Sequence, residues 1–152
     1  MKRRGRITKR QSKALEQLDN FLVTDVNDIS EALKNYSSCH LEIGFGNAKH
    51  LCKEAKLNKD TLYVGSEVYL SGIGSLTAGI IEEGIQNIRI YDQDIRLLLD
   101  NKPKEVFDKV VIICPDPWPK EKHHKRRLIN DEFLSIERFK LSTSLISNFC
   151  LG

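Results

Sequence analysis

The sequence predicts an α/β protein with a Rossmann-like, mostly parallel sheet and helices on both faces. Three observations predict it. Short β-branched apolar runs, of which Val110-Val111-Ile112-Ile113 is the clearest, alternate with longer stretches of helical periodicity. A Gly-x-Gly turn, Gly44-Phe45-Gly46, stands between the first run and a helical stretch. Acids follow directly on the apolar runs: Glu67, Asp94 and Asp116. In open α/β sheets ligands bind outside the carboxyl ends of the strands, where such acids would lie.

The 152 residues suffice for one domain with a real core, and 40% hydrophobic with 30% charged residues is ordinary globular composition. No apolar run approaches the roughly 18 residues that a membrane span needs. The basic N-terminus lacks the apolar h-region of a secretory signal. Cys39, Cys52, Cys114 and Cys150 show neither paired nor zinc-like spacing, so they read as reduced, mostly buried thiols of a cytoplasmic protein with no metal site.

In chain order, residues 1–7 form a cationic arm. Thr8 to Gln11 fits a capping box, and Ala14, Leu15, Leu18, Phe21 and Leu22 recur at helical spacing, which predicts a helix over 9–22. Residues 23–37 are mixed, with room for a short helix. Cys39 to Ile43 reads as a strand, followed by the Gly44–Gly46 turn and a helix over 47–57. The glycines let the backbone turn tightly and approach a ligand at the helix N-terminus. A second strand, Leu62 to Ser66, ends in Glu67, about 20 residues past the glycines, where a carboxylate can hold a ribose diol. A helix over 69–83 follows. Its Gly72, Gly74 and Gly79 imply close packing or the approach of a ligand, and Gly84 suits its C-terminal stop. The third strand, Asn87 to Tyr91, leads to Asp94, which either accepts from an adenine amino group or caps the next helix, 95–101. The fourth strand, 110–113, runs into Cys114-Pro115-Asp116-Pro117-Trp118-Pro119-Lys120, where prolines stop the strand and stiffen the loop.

This pattern points to an adenosine-containing cofactor. Two details favour S-adenosylmethionine over a dinucleotide. Glu42, just before the glycines, would repel a pyrophosphate but suits an ammonium and a sulfonium; its other reading is a strand-end carboxylate that caps backbone N–H groups. Lys49 occupies the third-glycine position of a dinucleotide fingerprint.

Charge is segregated. Residues 1–13 hold seven Lys/Arg and no acid, and residues 120–127 hold five Lys/Arg and one acid. The other 12 cationic residues face 20 acids, a net of −8. Two basic blocks on an acidic body point to a polyanion bound at a defined place. An acid and an indole beside such a block suit a base held next to a phosphate backbone.

Together, Gly5-Arg6-Ile7-Thr8-Lys9, Glu42-Ile43-Gly44-Phe45-Gly46, Gly65-Ser66-Glu67-Val68 and Pro115-Asp116-Pro117-Trp118-Pro119-Lys120 with His123-x-Lys125-Arg126-Arg127 resemble the bacterial tRNA (guanine-N7-)-methyltransferase family over about residues 5–134. The resemblance implies a class I methyltransferase fold and methyl transfer from S-adenosylmethionine to N7 of a variable-loop guanosine in tRNA. It implies cofactor binding by Glu42, Gly44, Gly46, Glu67, Asp94 and Asp116, with Asp116 also catalytic. It implies tRNA binding by Lys120, Lys122, His123, His124, Lys125, Arg126 and Arg127, with Trp118 either stacked on a base or buttressing the loop. The chain departs from the family at Ala48, where a third glycine is usual, and over residues 136–152, which lack the family's later motifs. The expected organisation is an arm and helix over 1–22, an incomplete cofactor-binding domain over 38–135 with its last strands missing, and an atypical, truncated or frame-shifted tail over 136–152. Such a chain is expected to expose apolar sheet edge. The competing expectations are an inactive tRNA-binding fragment and, less favoured, a dinucleotide-dependent oxidoreductase.

Overall fold

Parallel strands need long crossovers, and this chain supplies helices for them. The computed structural model describes residues 6–100, 106–113 and 146–148. Its strands are β1 (Ser38–Ile43), β2 (Thr61–Ser66), β3 (Ile88–Tyr91), β4 (Lys109–Ile113) and β5 (Ile146–Asn148). They pair in the order β3-β2-β1-β4-β5, every pairing parallel. The chain thus builds outward from β1 to β3, then returns across the sheet to place β4 on the other side of β1. The fifth strand lies within 136–152, where an atypical tail is expected.

The helices are α1 (Lys9–Leu15), α2 (Val26–Leu33), α3 (Lys49–Leu57), α4 (Leu70–Glu83) and α5 (Ile95–Asp100). Side chains alternate across a strand, and the two faces carry separate cores. On one face Cys39, Leu41, Ile43, Leu62, Val64, Val110 and Ile112 pack with Ile29 of α2 and Ile95, Leu98 and Leu99 of α5. On the other, Tyr63, Ile88 and Ile90 pack with Leu51, Cys52 and Ala55 of α3 and Ile73, Leu76 and Ile80 of α4. Each fully buried Leu or Ile contributes about 1.5–3 kcal/mol. Asn87, also buried, donates through Nδ2 to the carbonyls of Ala55 (2.9 Å), Asn58 (3.0 Å) and Thr61 (2.9 Å), tying the end of α3 and the start of β2 to β3.

The predicted helix over 9–22 is shorter in the structure. The Thr8–Gln11 capping box forms as expected, but α1 ends at Leu15 and a single 3₁₀ turn follows at Leu18–Asn20. The helix stops because the next residues serve the sheet edge. Ile90 N–H donates to the Phe21 carbonyl (2.8 Å) and Val23 N–H to the Ile90 carbonyl (2.9 Å), so Leu22 bridges β3. Leu15, Leu18, Phe21 and Leu22 still pack on the α3–α4 core, so the apolar stripe is real although one helix does not carry it. The helix over 47–57 begins later, at Lys49, because Ala48 has left-handed backbone. Gly84 ends α4 in the left-handed conformation, as its position predicts.

The glycines of α4 are places of close packing. A Cβ on Gly74 would lie 2.8 Å from the Cβ of Gln11 on α1, and one on Gly79 would lie 3.0 Å from Cys52 Sγ on α3. Across that first contact Gln11 Nε2 donates to Ser75 Oγ (2.9 Å), and Arg10 pairs with Glu82 through two 2.7 Å bonds. Alanine is a better helix former than glycine by about 1 kcal/mol. The clash at Gly74 outweighs that gain, because the opposing atom sits close to backbone. Gly74→Ala is therefore expected to destabilise the chain by about 1–2 kcal/mol net, measured as a lower urea midpoint. A midpoint at or above that of the wild type would show that α1 is not packed this closely.

Candidate cofactor pocket

The sharp turn out of β1 creates the site. Gly44 (φ 72°), Gly46 (φ 58°) and Ala48 (φ 69°) all take left-handed backbone within five residues. Glycine adopts that region freely; alanine pays roughly 1–2 kcal/mol. The turn is pinned on both sides. Gly44 N–H donates to the Ser66 carbonyl (2.8 Å), and the Ala48 carbonyl accepts from Cys52 N–H (3.0 Å) as α3 starts. An added Cβ on Gly46 would meet nothing within 4 Å among the described residues, so the turn faces open space. The start of α4 sits against it, since a Cβ on Gly72 would come within 2.9 Å of the Gly46 carbonyl and 3.1 Å of Glu67 Cγ.

Glu67 lies directly past β2. Its N–H extends the ladder to the Tyr91 carbonyl (3.2 Å), and its Oε1 accepts from the N–H groups of Val68 (2.9 Å) and Tyr69 (3.2 Å), which fixes the carboxylate. Asp94 lies past β3. Its Oδ1 accepts from Arg96 N–H (3.0 Å), and its carboxylate also pairs with the Arg96 guanidinium. Of its two sequence readings, the helix-capping contact is the one present. Gly44, Gly46, Glu67 and Asp94 thus all stand at the carboxyl edge of the three adjacent strands β1, β2 and β3.

Glu42 sits one step back, within β1, on the face toward α3. It is 3% exposed. Its Oε2 lies 3.3 Å from His50 Nδ1, and its Oε1 has no hydrogen-bond partner among the described residues. Its partner is a side chain of α3, not the backbone N–H groups of the capping alternative. Burial pushes its pKa up, while His50 pulls it down. Beside it, between β1, β4 and α3, lies a cavity of about 130 Å³ lined by His40, Glu42, His50, Glu54, Tyr63 and Lys109 among others. Sequence reasoning missed His50. The signal was its place as the second residue of α3, which a strand–turn–helix unit folds back over the strand end.

Asp116, Trp118, Lys120, Lys122, His123, His124, Lys125, Arg126 and Arg127 lie outside the described residues, as do Cys114 and Cys150. Cys39 and Cys52 are buried free thiols, and burial pushes Cys39 up to about 12. Among the described residues no helix is long and apolar enough to cross a membrane, and no cluster of acids, histidines and cysteines could hold a metal ion.

Sheet order, left-handed turn and edge acids together define a Rossmann-like methyltransferase fold. The fold is similar to that of a solved chain titled "Structure of an antibiotic related Methyltransferase", with a TM-score of 0.52 and 18% identity, covering 62% of this chain and 49% of that one. The chain belongs to the methyltransferase family whose model, described as "Putative methyltransferase", matches residues 36–144. Among its relatives are two proteins named tRNA (guanine-N(7)-)-methyltransferase. That of Hyphomonas neptunium is 36% identical over 124 residues, 80% of this chain. That of Neorickettsia sennetsu is 40% identical over 136 residues, 89% of this chain. The chain spans 57% and 59% of their respective lengths.

His40 gives this region a pH dependence. Burial, and then Lys109, push its pKa below the ordinary histidine value. The unfolded chain therefore binds more protons than the folded one between that lowered pKa and about 6.5, so stability rises with pH through this window. His40→Gln should flatten the fall in melting temperature as pH drops below about 6.5. An unchanged acid limb would place the titrating group elsewhere.

Proposed function

We propose that this chain belongs to an enzyme that transfers a methyl group from S-adenosylmethionine to N7 of a variable-loop guanosine in tRNA. One observation carries the reading: an open left-handed turn with a fixed carboxylate, Glu67, beside it and, behind it, a buried carboxylate oxygen of Glu42 that has no partner among the described residues. The relatives' names give the acceptor and its reacting nitrogen.

The residues present fit the cofactor. Among the described residues, the space before Gly46 is open, which would admit a ligand to its backbone. Glu67, held by two backbone donors on Oε1, is placed to accept from ribose hydroxyls. Glu42 offers the negative charge that a cationic amino-acid end requires. In this reading Asp94 meets the adenine edge. When bound, S-adenosylmethionine supplies an electrophilic methyl on a sulfonium.

Guanine N7 has an in-plane lone pair and no proton, so its attack needs no general base. The protein's work is then alignment and electrostatic fit. In this reading Asp116 orients the guanine through its N–H edge or stabilises the developing cation, and Trp118 stacks on a base or buttresses the loop. Lys120, Lys122, Lys125, Arg126 and Arg127 hold tRNA phosphates, with His123 and His124 in the same tRNA-binding stretch.

The direct test is transfer of tritiated methyl from S-adenosylmethionine to an unmodified tRNA transcript and to a matched transcript with adenosine at the variable-loop site. Label is expected on the first alone; equal label on both would overturn the site assignment. Glu67→Gln should weaken cofactor binding roughly 10- to 100-fold, the worth of a charged hydrogen bond, as read by calorimetry. Arg127→Ala should weaken binding to all tRNAs alike and reduce the salt slope by about one unit. A salt slope equal to that of the wild type would remove Arg127 from the phosphate contacts.

A further inference from the structure

Glu42 presents an unsolved problem of burial. It is 3% exposed, one oxygen has no partner among the described residues, and an unsatisfied buried charged group is costly. Among the described residues its side-chain partner is His50, whose Nδ1 lies 3.3 Å from Oε2 and whose Nε2 lies 4.0 Å from Glu54 Oε1. The imidazole, half exposed at the start of α3, is therefore strung between two carboxylates.

We propose that His50 is a positioning residue for the cofactor: it clamps one oxygen of Glu42 and leaves the other, Oε1, to take the cationic amino-acid end of S-adenosylmethionine. The inference rests on the proposed function and adds to it a residue that touches neither the transferred methyl nor the acceptor.

The electrostatics agree with the geometry. Burial acts on Glu42 to favour the neutral acid, and a neutral acid is a poor partner for an ammonium. The charge and the hydrogen bond of His50 act the other way, while the negative charge of Glu54 adds to the effect of burial. The remaining polar groups that line the adjoining cavity are His40 of β1, Tyr63 of β2 and Lys109 of β4. Among the described residues, none of these three hydrogen-bonds to Glu42. Removing His50 should leave burial and Glu54 unopposed, so that Glu42 ionises only at higher pH.

The test is calorimetric binding of S-adenosylhomocysteine, which keeps the ammonium and lacks the sulfonium, between pH 5.5 and 7.5, in wild type, His50→Gln and Glu42→Gln. His50→Gln is expected to bind about tenfold more weakly near pH 6, with the gap closing as pH rises, so that the midpoint of the affinity profile moves up by half a unit or more. Glu42→Gln should bind weakly and lack that pH-dependent limb. His50 lies at the surface end of a helix, and its variant is expected to fold; its melting temperature checks this. A loss in His50→Gln that is the same at every pH, or a midpoint equal to that of the wild type, overturns the role of His50 and leaves the proposed function standing. Failure of the wild type to bind at any pH overturns both.

Discussion

The constraint on which the rest depends is the reversal between β1 and α3. In the five residues from Gly44 to Ala48 the chain must leave a buried strand and start a helix that packs back over the same sheet. Three left-handed residues accomplish this. Two are glycines, for which the conformation is nearly free. The third, Ala48, carries a strain of roughly 1–2 kcal/mol. It is partly offset because its methyl group is buried in the α3–α4 core, worth about 0.8 kcal/mol. Ala48 therefore keeps a net strain of up to about 1 kcal/mol.

Once that turn is set, the neighbouring elements follow from close contact. Gly72 lets α4 approach the Gly46 carbonyl and Glu67. Gly74 lets α1 lie against α4, and Gly79 brings α4 to Cys52 on α3. The same helix thereby anchors the N-terminal segment and buttresses the ligand edge. Glu67 gains from this arrangement, since its carboxylate is held by the N–H groups that open the link into α4. A side chain fixed before a ligand arrives loses less entropy on binding.

Glu42 and His50 show a second consequence of the turn. Folding α3 back over β1 brings the second residue of the helix to the strand's last inward-facing acid. A carboxylate at 3% exposure, with one oxygen unpartnered among the described residues, is a local cost that core packing carries. Such costs are often kept where a ligand relieves them.

Much of this was legible in the sequence, because the signals are local. Short apolar runs and period-3.6 patterns located four strands and helices α3, α4 and α5 within a few residues. The need for positive φ marked Gly44, Gly46 and Gly84. The spacing from glycines to Glu67 marked the ligand edge. The capping box at Thr8 set where α1 begins. What the sequence could not contain was anything that depends on which elements become neighbours. The apolar stripe from Leu15 to Leu22 is helical in spacing, yet α1 ends at Leu15 because Phe21 and Val23 are needed as hydrogen-bond partners for Ile90, nearly 70 residues away. His50 was one polar side chain among many until the sheet and α3 placed it against Glu42. The sequence alone determined the local backbone and its periodicities, because these depend on nearest neighbours. Tertiary structure decided strand order, helix ends and side-chain partners, because each is a contact between residues that only the completed sheet brings together.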